Sequence, residues 1–406
     1  MERRVVITGL GIWSCLGTSL DEVRQSLYSG KSGIIFSQAR KDAGFRSALC
    51  ADVPKADLKK YLSRDLRKLM PEEAQYGYLA TIQAMEHAKL DQDFLDQNEV
   101  GVIYGNDSVA EATMTALDKF RQAGSTAACG SGAIFQSMNS TVTMNLATLL
   151  HLRGINLTAS AACASGSHSV GLGYLLIKDG LQDCIICGGA QEANMFSVAS
   201  FDGLMAFSTR EDEPTKASRP FDRDRDGLIP GGGAATLVLE SYEHAVKRGA
   251  PILAEIVGWG FSGNGDHIST PNVAGPTRSL ELCLKNGGID PRDIGYINAH
   301  ATSTHAGDGR EALAIANIFG DYRVPVTSTK SQTGHEMWMA GASELIYSLL
   351  MMKNDFIAGS LNFENPDDDT ACINVIPETR EAHFDMFLSN SFGFGGTNSS
   401  LIIKNL

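Results

Sequence analysis

The amino-acid sequence predicts an α/β protein in which strands and helices alternate in two successive series. Its 406 residues suffice for two or three domains of ordinary size. Hydrophobic residues make up 43% and charged residues 20%, a composition typical of a globular chain with a large core. The valine- and isoleucine-rich runs do not alternate apolar with polar residues, which indicates strands buried on both faces of a mostly parallel sheet.

The two series divide the chain near its middle. In the first, strands are predicted over residues 4–8, 100–104, 156–159, 184–188 and 235–239, and helices over 71–88 and 164–178. In the second, strands are predicted over 254–259, 295–298, 326–329 and 401–404, and helices over 278–286, 310–319 and 340–352. A boundary in the segment 245–252 gives two halves, residues 1–250 and 251–406. Because no linker rich in proline or serine separates them, we expect the halves to share one core.

The N-terminal segment superficially resembles an export signal, but a first strand explains it better. Gly9 and Gly11 interrupt its apolar run, and bulky Trp13 lies two residues before Cys15, where a cleavage site needs small residues. No stretch of the sequence reaches the about 20 apolar residues that a membrane-spanning helix needs. The sequence therefore predicts a cytoplasmic protein without a membrane partner.

Charge and cysteine content exclude two further classes of protein. Lys and Arg number 34 and Asp and Glu 47, and the net charge of −13 disfavours nucleic acid as a partner. The eight cysteines lie far apart, as in reduced cytosolic proteins rather than disulfide frameworks. Cys184 and Cys187 form the one close pair, and without a second such pair a metal or redox role is disfavoured.

Cys163 is the first candidate for chemistry. It lies in the segment SAACASGS (residues 160–167), between a predicted strand and a predicted helix. A cysteine at a helix N-terminus faces unpaired backbone N–H groups and the positive end of the helix dipole, and both favour the nucleophilic thiolate. A buried structural cysteine is an equally good interpretation of this segment alone.

Three more motifs lie in the second half, and the first two of them follow predicted strands. His300 lies in NAHATST (residues 298–304), and His335 ends TKSQTGH (residues 329–335), in which Lys330 places a cation near the imidazole. Because ligands bind at the carboxyl ends of strands in such sheets, both histidines are candidates for a site. The segment NSFGFGGTN (residues 390–398) predicts a pliable glycine-rich loop that could serve as an oxyanion hole, a gate or both. The alternative is a glycine-rich turn that leads into the last strand.

One cysteine and two histidines after strands point to acyl transfer at a thiol. A cysteine protease needs only one histidine. A zinc site from Cys163, His300 and His335 is chemically conceivable, but none of the three belongs to a close-spaced pair of ligands. We therefore predict no metal.

These four motifs, in this order and at these separations, resemble the β-ketoacyl-acyl carrier protein synthases, and in particular the elongating type I/II enzymes of the thiolase superfamily. Residues 5–11 and 217–227 extend the resemblance, which covers nearly the whole chain. The Cys-His-His set distinguishes subclasses, since the initiating synthases carry Cys-His-Asn and thiolases carry a second cysteine.

The resemblance implies a thiolase-like fold, with duplicated α/β halves in a five-layered αβαβα sandwich, and usually a homodimer. It implies a decarboxylative condensation of malonyl-acyl carrier protein with an acyl chain held on Cys163, giving a 3-oxoacyl-acyl carrier protein two carbons longer without a cofactor. His300 and His335 would stabilise the developing negative charge. Lys330, paired with Glu344, would orient His335.

The resemblance also assigns residues around the reacting groups. The backbone N–H groups of Cys163 and Phe394 would form the oxyanion hole, and Phe394 or Phe392 would gate malonyl entry. Thr302 and Thr304 would contact the phosphopantetheine arm. The expected docking residues for acyl carrier protein, an acidic partner, are Arg64, Arg67 and Lys68, with Lys119 and Arg121 as weaker candidates.

The sequence departs from the family pattern beside the predicted site. After His335 the chain has EMWMAG where the family has SLGAAG, so Trp338 adds bulk beside the acyl tunnel. Asp107 lies in a segment that is usually rich in glycine, near the acyl pocket. We expect Trp338 and Asp107 to contact substrate and to alter which acyl chain is accepted.

Two other interpretations of the resemblance are open. The same condensation could serve a specialised polyketide or polyene pathway, in a homodimer or in a heterodimer with a homologue that lacks the nucleophile. A non-catalytic scaffold subunit is disfavoured, because Cys163, His300, Lys330 and His335 occur together.

Overall fold

Strands and helices alternate along the computed structural model, which describes residues 3–406. The first half contains β1 (Val5–Trp13), α1 (Leu20–Ser29), β2 (Ile34–Phe36), α2 (Gln38–Asp42), β3 (Leu49–Ala51), α3 (Arg64–Arg67), α4 (Glu72–Ala88), α5 (Gln92–Gln97), β4 (Val100–Gly105), α6 (Glu111–Ala123), α7 (Ala133–Ser137), α8 (Thr141–Leu149), β5 (Asn156–Ala159), α9 (Ser165–Lys178), β6 (Cys184–Gln191), α10 (Ala199–Gly203), β7 (Gly233–Ser241) and α11 (Tyr242–Arg248). The second half contains β8 (Ala254–Gly263), α12 (Ala274–Gly287), β9 (Tyr296–Asn298), α13 (His305–Phe319), β10 (Pro325–Thr327), α14 (Lys330–Thr333), α15 (Ala340–Lys353), β11 (Phe356–Ile357), β12 (Asn374–Val375), β13 (Arg380–Glu381), β14 (Met386–Gly393) and β15 (Thr397–Lys404).

The two halves have the same sheet topology. Strands of the first half follow the order β5-β4-β6-β7-β1, and those of the second follow β10-β9-β14-β15-β8. In each set the first three strands are parallel and the last two pairings are antiparallel. A short pairing of β1 with β8 joins the two sets into one continuous sheet, and β12 extends the outer edge beside β10. The predicted duplication is therefore present in the strand order.

The helices form three layers around these two sets of strands. The outer helices α4 and α8 cover the first set, and α12 covers the second with α13 packed against it. The central helices α9 and α15 pack against each other and contact strands of both sets. The largest apolar cluster combines residues of α9 and α15 with strand residues from both halves. The predicted five-layered arrangement and the shared core are confirmed, and the division at residues 250 and 251 stays a prediction.

Two glycines allow the central helices to meet at their N-terminal ends. A Cβ atom on Gly166 would lie 2.9 Å from the backbone nitrogen of Ala342 and 2.9 Å from the carbonyl oxygen of Trp338. A Cβ atom on Gly341 would collide with the backbone of Ser167. Because neither glycine has a side chain, the start of α9, after Cys163, lies against the start of α15, after His335.

The prediction of a pliable loop over residues 390–398 is wrong. Residues up to Gly393 belong to β14, and β15 begins at Thr397, so that Gly393 pairs with Thr397. Only Phe394–Gly396 forms the connecting turn, in which Gly395 and Gly396 have φ values of 78° and 74°. The backbone N–H groups near Phe394 are consequently held by a hairpin rather than by a flexible segment.

The sequence disfavours a ligand site at the pair Cys184 and Cys187 and a membrane-spanning helix, and the structure provides observations on both. Cys184 and Cys187 both lie on β6, but Cys184 packs into the outer apolar cluster of the first half and Cys187 into the central one. Their thiols thus point to opposite faces of the sheet and cannot share a ligand. Within residues 3–406, no helix combines the length and the apolar character required to cross a membrane.

Candidate active site

Cys163 lies in a tight turn between β5 and α9. The strand ends at Ala159, and one turn of 3₁₀-helix, Ala162–Ala164, leads into the helix. Ala162 adopts a left-handed conformation (φ 46°), which is unfavourable for a residue with a Cβ atom. The Ser165 hydroxyl stabilises this turn, because it accepts the N–H of Ala161 at 2.9 Å and donates to the carbonyl of Ala162 at 2.7 Å. The turn presents the buried Cys163 thiol at the junction of the two halves.

His300 and His335 converge on the thiol from the second half. The Cys163 Sγ atom and one ring nitrogen of each histidine lie within 4.8 Å of one another, and the two imidazole centroids are 5.4 Å apart. His300 follows β9, where the Glu311 carboxylate accepts its backbone N–H at 2.9 Å and that of Ala301 at 2.7 Å. Glu311 thereby fixes the backbone that carries His300.

The hydrogen bonds of His335 determine which of its ring nitrogens faces the site. Its Nδ1 atom accepts the backbone N–H of Met337 at 3.3 Å. In a neutral imidazole the other nitrogen then carries the proton. That atom, Nε2, is buried and has no hydrogen-bond partner, so it is available as a donor to a bound molecule.

A buried ion pair lies behind the histidines. Lys330 Nζ donates to Glu344 Oε1, and both side chains are only 1% exposed. Burial and the positive charge of Lys330 lower the pKa of His300 and that of His335 well below their ordinary values. Both imidazoles are therefore neutral near pH 7.

The thiol itself is protonated in the resting site, contrary to the thiolate expected from the helix N-terminus. Burial raises the pKa of Cys163 to about 11, although Lys330 and the backbone N–H groups of Phe394 and Cys163 lower it. Desolvation of the anion outweighs these favourable interactions because the thiol is buried beside an apolar cavity, with Cys163 only 6% exposed. Ionisation must accompany the reaction rather than precede it.

The two predicted oxyanion donors both face the thiol. The backbone N–H groups of Cys163 and Phe394 lie close enough to the sulfur to act on its pKa. A Cβ atom on Gly393 would lie 3.1 Å from the Cys163 nitrogen, which shows how closely the β14–β15 turn approaches the cysteine. Two fixed dipoles therefore point to the place where a carbonyl carbon bonded to sulfur would hold its oxygen.

Cys163 and both histidines line an apolar cavity of about 310 Å³. Phe392 and Phe394 also line it; the Phe392 ring lies 6.0 Å from that of His300, and Phe394 is 39% exposed. Thr302 and Thr304 lie along the same cavity. Their backbone N–H groups donate to Asp308 at 2.9 and 3.3 Å, which fixes both hydroxyls beside the entrance to the histidines.

Comparison with known proteins identifies the family of this chain. Residues 2–245 match the family model of the beta-ketoacyl synthase N-terminal domain, and residues 253–364 match that of the C-terminal domain. The chain belongs to the beta-ketoacyl synthase family. It is 40% identical to 3-oxoacyl-[acyl-carrier-protein] synthase 1 of Haemophilus influenzae and 39% identical to that of Escherichia coli K12, over at least 99% of each chain.

Solved structures of other ketosynthases share the fold over the whole chain. A beta-ketoacyl synthase from Burkholderia phymatum superposes with a TM-score of 0.96 at 37% identity. The ishigamide ketosynthase/chain length factor gives 0.92 at 31% identity. A type II polyketide ketosynthase, AntDE, in complex with its acyl carrier protein and bound to a hexaketide, gives 0.90 at 27% identity. Each covers 100% of both chains, and the predicted thiolase-like fold is confirmed.

Two predicted substrate contacts of this beta-ketoacyl synthase lie outside the cavity lining. Trp338 is buried behind Phe201, with ring centroids 6.3 Å apart, and does not itself line the cavity. Asp107 accepts a hydrogen bond from the Ser160 hydroxyl, and its charge raises the pKa of Cys163. Trp338 therefore shapes the wall of the cavity, and Asp107 acts on the turn that carries the nucleophile.

Several lining residues of this beta-ketoacyl synthase were not predicted from the sequence. Phe201 lies between two predicted motifs and carries no signal of its own. The segment 264–272 also lines the cavity, and the carbonyl of Ile268 accepts the N–H of Gly395 at 2.7 Å. This contact joins the segment to the turn that contains Phe394.

The predicted docking residues of this beta-ketoacyl synthase lie on the surface at α3. Arg64 and Lys68 are exposed, and Arg67 is half-buried. They surround a shallow depression together with Lys55 and Lys59. The depression is separate from the cavity that contains Cys163, and its excess of cations is suited to an acidic partner.

Glu336, one of the departures from the family pattern, forms a buried cluster next to His335. Its carboxylate accepts the hydroxyl of Ser343 at 2.5 Å and that of Tyr347 at 2.8 Å, both from α15. Burial raises the pKa of Glu336 to about 8, although these two hydrogen bonds lower it. The carboxyl group anchors the turn after His335, in which Met337 has a φ of 48°.

Proposed function

We propose that this chain is a 3-oxoacyl-acyl carrier protein synthase that extends an acyl chain held on Cys163 by two carbons. The observation that carries the proposal is the convergence of the Cys163 thiol and the His300 and His335 imidazoles within 4.8 Å. Curated relatives that match over the full chain bear the name of this activity. Like them, the chain is an acyltransferase-type condensing enzyme of fatty acid biosynthesis.

The first half-reaction transfers the acyl group to the enzyme. The sulfur of Cys163 attacks the carbonyl carbon of an acyl thioester, and the N–H groups of Cys163 and Phe394 bind the resulting oxyanion. The bond between the acyl carbon and the pantetheine sulfur then breaks. The proton of the Cys163 thiol passes to the departing sulfur, with a neutral imidazole alongside to relay it.

The second half-reaction forms the new carbon–carbon bond. Malonyl-carrier loses CO₂, and the electron pair of the broken bond becomes an enolate whose oxygen accepts hydrogen bonds from His300 and from Nε2 of His335. The α-carbon attacks the acyl-Cys163 carbonyl, and the carbon–sulfur bond breaks. Cys163 leaves as the thiolate, takes up one proton, and the product carries two more carbons.

The histidines need neutral rings for this role, and burial together with the Lys330 charge keeps them neutral. A protonated imidazole would bind the malonyl carboxylate and oppose its loss as CO₂. Burial and then the Lys330 charge lower the pKa of both rings, and Glu344 compensates that charge within the buried pair. The same charge disfavours a divalent metal ion on the three ligand atoms, which are otherwise close enough to bind one.

Entry of substrate takes place along one wall of the cavity. Thr302 and Thr304 lie where the two hydroxyls can bind the amide groups of a pantetheine arm. The Phe394 side chain projects from a three-residue turn and is partly exposed, so a rotation of this side chain opens the way to the histidines while the turn stays in place. Phe394 is thus the better candidate for the gate than Phe392, which is held in β14 beside His300.

The carrier partner binds at the basic surface of α3. Arg64, Arg67 and Lys68 supply positive charge on a chain whose net charge is −13. The AntDE ketosynthase binds an acyl carrier protein, which shows that this fold accepts such a partner. We propose the same class of partner here.

A second copy of the chain pairs through strand β5. This strand lies at the edge of the sheet, and its Leu157 is 41% exposed. Ile134 and Phe135 of α7 are 61% and 49% exposed. An unpaired strand edge favours pairing with a strand of another chain, and exposed apolar side chains favour association. A homodimer is proposed, and a homologue lacking the nucleophile is the alternative partner.

Mass spectrometry of the intact chain tests the proposed function. After incubation with acyl-carrier protein, the wild type gains one acyl group on Cys163, and malonyl-carrier removes it as a 3-oxoacyl product. Cys163→Ala gains no acyl group, whereas Cys129→Ala, a half-buried cysteine outside the cavity, behaves as wild type. His300→Ala and His335→Ala still become acylated but do not release product. Product formation by Cys163→Ala refutes the proposal.

A further inference from the structure

Side-chain hydrogen bonds join the first turn of α9 to the start of β15. Nε2 of His168 lies 3.0 Å from the hydroxyl oxygen of Thr397. The hydroxyl oxygens of Ser167 and Ser399 are 2.7 Å apart, and the indole N–H of Trp259 donates to Ser399 at 2.9 Å. These contacts connect the helix that follows the nucleophile to the strand that follows the three-residue turn.

The imidazole of His168 is held in place by its surroundings. Its ring stands edge-on to that of Trp259, with centroids 5.8 Å apart and an interplanar angle of 82°. Trp259 in turn lies directly against α9, where a Cβ atom on Gly171 would collide with its indole. Burial lowers the pKa of His168 to about 4, so the ring is neutral near pH 7. A neutral imidazole and a hydroxyl can form a hydrogen bond with either tautomer of the ring.

Thr397 connects this ring to the β14–β15 hairpin. It pairs with Gly393 across the hairpin, and its methyl carbon Cγ2 would lie 2.9 Å from a Cβ atom on Gly393. Both branches of the side chain are therefore in contact, the hydroxyl with His168 and the methyl group with the hairpin. Because threonine is branched at Cβ, the hydrogen bond of one branch also fixes the position of the other.

The two oxyanion donors lie at the ends of the connected elements. The N–H of Cys163 belongs to the turn directly before α9, and the N–H of Phe394 follows Gly393 directly in the hairpin. Both donors must lie about 2.7–3.1 Å from the same oxygen atom to stabilise its charge. A displacement of about 1 Å can lower a rate by about 100-fold. The position of the hairpin relative to α9 therefore determines whether the two donors act together.

We propose that His168 is a positioning residue for the oxyanion hole: through Thr397 it holds the Phe394 N–H in register with the Cys163 N–H. Apolar packing alone allows a helix to shift along a strand, whereas hydrogen bonds of fixed length specify one position. Neither His168 nor Thr397 lines the cavity, so His168 acts through the hairpin and not on substrate. The inference rests on the proposed function, because it concerns the step in which the thiol attacks an acyl thioester.

Two reactions of the same thiol test this role. Acyl transfer from octanoyl-carrier passes through a tetrahedral intermediate whose oxyanion needs both donors. In alkylation by iodoacetamide the sulfur displaces iodide from a CH₂ group, the thiol proton passes to solvent, and no oxyanion forms. The alkylation rate therefore depends on access to the thiol and on its ionisation, whereas the acylation rate depends in addition on the oxyanion hole. The readout is the ratio of the acylation rate constant to the alkylation rate constant, from mass spectrometry of the peptide that contains Cys163.

His168→Leu is expected to lower this ratio by about 10- to 100-fold, because the donors move apart while the thiol stays accessible. His168→Gln, whose amide can bond to the Thr397 hydroxyl, should keep the ratio within about threefold of wild type. Thr397→Val loses only the hydroxyl and should match His168→Leu. The double variant should have a ratio no lower than either single variant, since both changes remove the same hydrogen bond. The control His87→Leu, on α4, should keep the wild-type ratio.

The outcomes separate this inference from the proposed function. A wild-type ratio in His168→Leu and Thr397→Val overturns the inference even where both rates fall, because a general distortion of the site slows both reactions. An equal loss in His168→Gln and His168→Leu also overturns it, and Thr397→Val decides alone if His168→Leu does not fold. In these cases wild-type acylation and its resolution by malonyl-carrier still support the condensing activity. If the wild type is alkylated at Cys163 but never acylated, the proposed function fails together with the inference.

Discussion

Replacing Glu336 by glutamine removes a pH-dependent cost of folding. Burial raises the pKa of this carboxyl group from an ordinary value of 4.5 to about 8. Between these two values the folded chain holds a proton that the unfolded chain releases. Stability therefore falls with rising pH in this window, by about 1.4 kcal/mol for each pH unit.

The size of the effect follows from the width of the window. From an ordinary pKa of 4.5, the cost is about 3 kcal/mol at pH 7 and approaches roughly 5 kcal/mol at pH 8 and above. Glutamine has the same shape, and its amide can still hydrogen-bond to the Ser343 and Tyr347 hydroxyls without ionising. Glu336→Gln is thus expected to be more stable than wild type at high pH, and the difference is expected to disappear near pH 5.

Thermal unfolding monitored by circular dichroism between about pH 5 and pH 9 measures this difference. The matched control is Glu86→Gln, an exposed residue of α4 whose replacement should leave the midpoint unchanged at every pH. A Glu336→Gln midpoint that lies below wild type at pH 8, or a difference from wild type that does not change with pH, refutes the reasoning.

Four further predictions concern the site and its partners. Gly393→Ala places a methyl group 3.1 Å from the Cys163 nitrogen and 3.0 Å from the Ala161 carbonyl oxygen. It should lower kcat by about 100- to 1000-fold, as expected for loss of one oxyanion donor. The control Gly263→Ala, whose added methyl group has open space around it, should leave kcat unchanged. Arg64→Glu combined with Lys68→Glu should raise the KM for acyl-carrier at low salt, and an unchanged KM would remove this docking surface. Trp338→Gly opens space behind the cavity wall and should lengthen the longest acyl group accepted in the mass-spectrometric assay; the same chain-length profile as wild type would contradict this. Dialysis against EDTA should leave condensation intact, whereas restoration of a lost activity by added zinc would identify a metal site.

The sequence was sufficient to predict the repeated α/β pattern and the segments that carry the reacting groups. Strands such as β4 and β6 are continuous apolar runs, and the motifs that contain Cys163, His300 and His335 each follow a strand. These signals are local, and the shared edge of parallel strands then brings distant motifs together. Strand β14 was missed because Ser389, Asn390 and Ser391 give it a polar appearance. The Asn390 side chain is satisfied by Glu311 and Ser400 from other elements, which no local pattern reveals.

The sequence could not predict properties that depend on how the folded chain surrounds a side chain. A helix N-terminus next to Cys163 indicates a favoured thiolate, but the degree of desolvation is set by residues from both halves. The size of Trp338 is likewise evident from the sequence, but the direction in which its side chain points is not. Phe201 has no motif, and only its contacts with Phe394 and Phe207 show its place in the wall.

The close approach of Gly166 and Gly341 has a consequence for how this enzyme can change. In the proposed reaction, one copy of the repeated architecture supplies the nucleophile, and the other supplies the two imidazoles. A larger residue at either glycine would separate the partners without altering any reacting atom. The geometry of catalysis here thus depends on the absence of two side chains as much as on the presence of three.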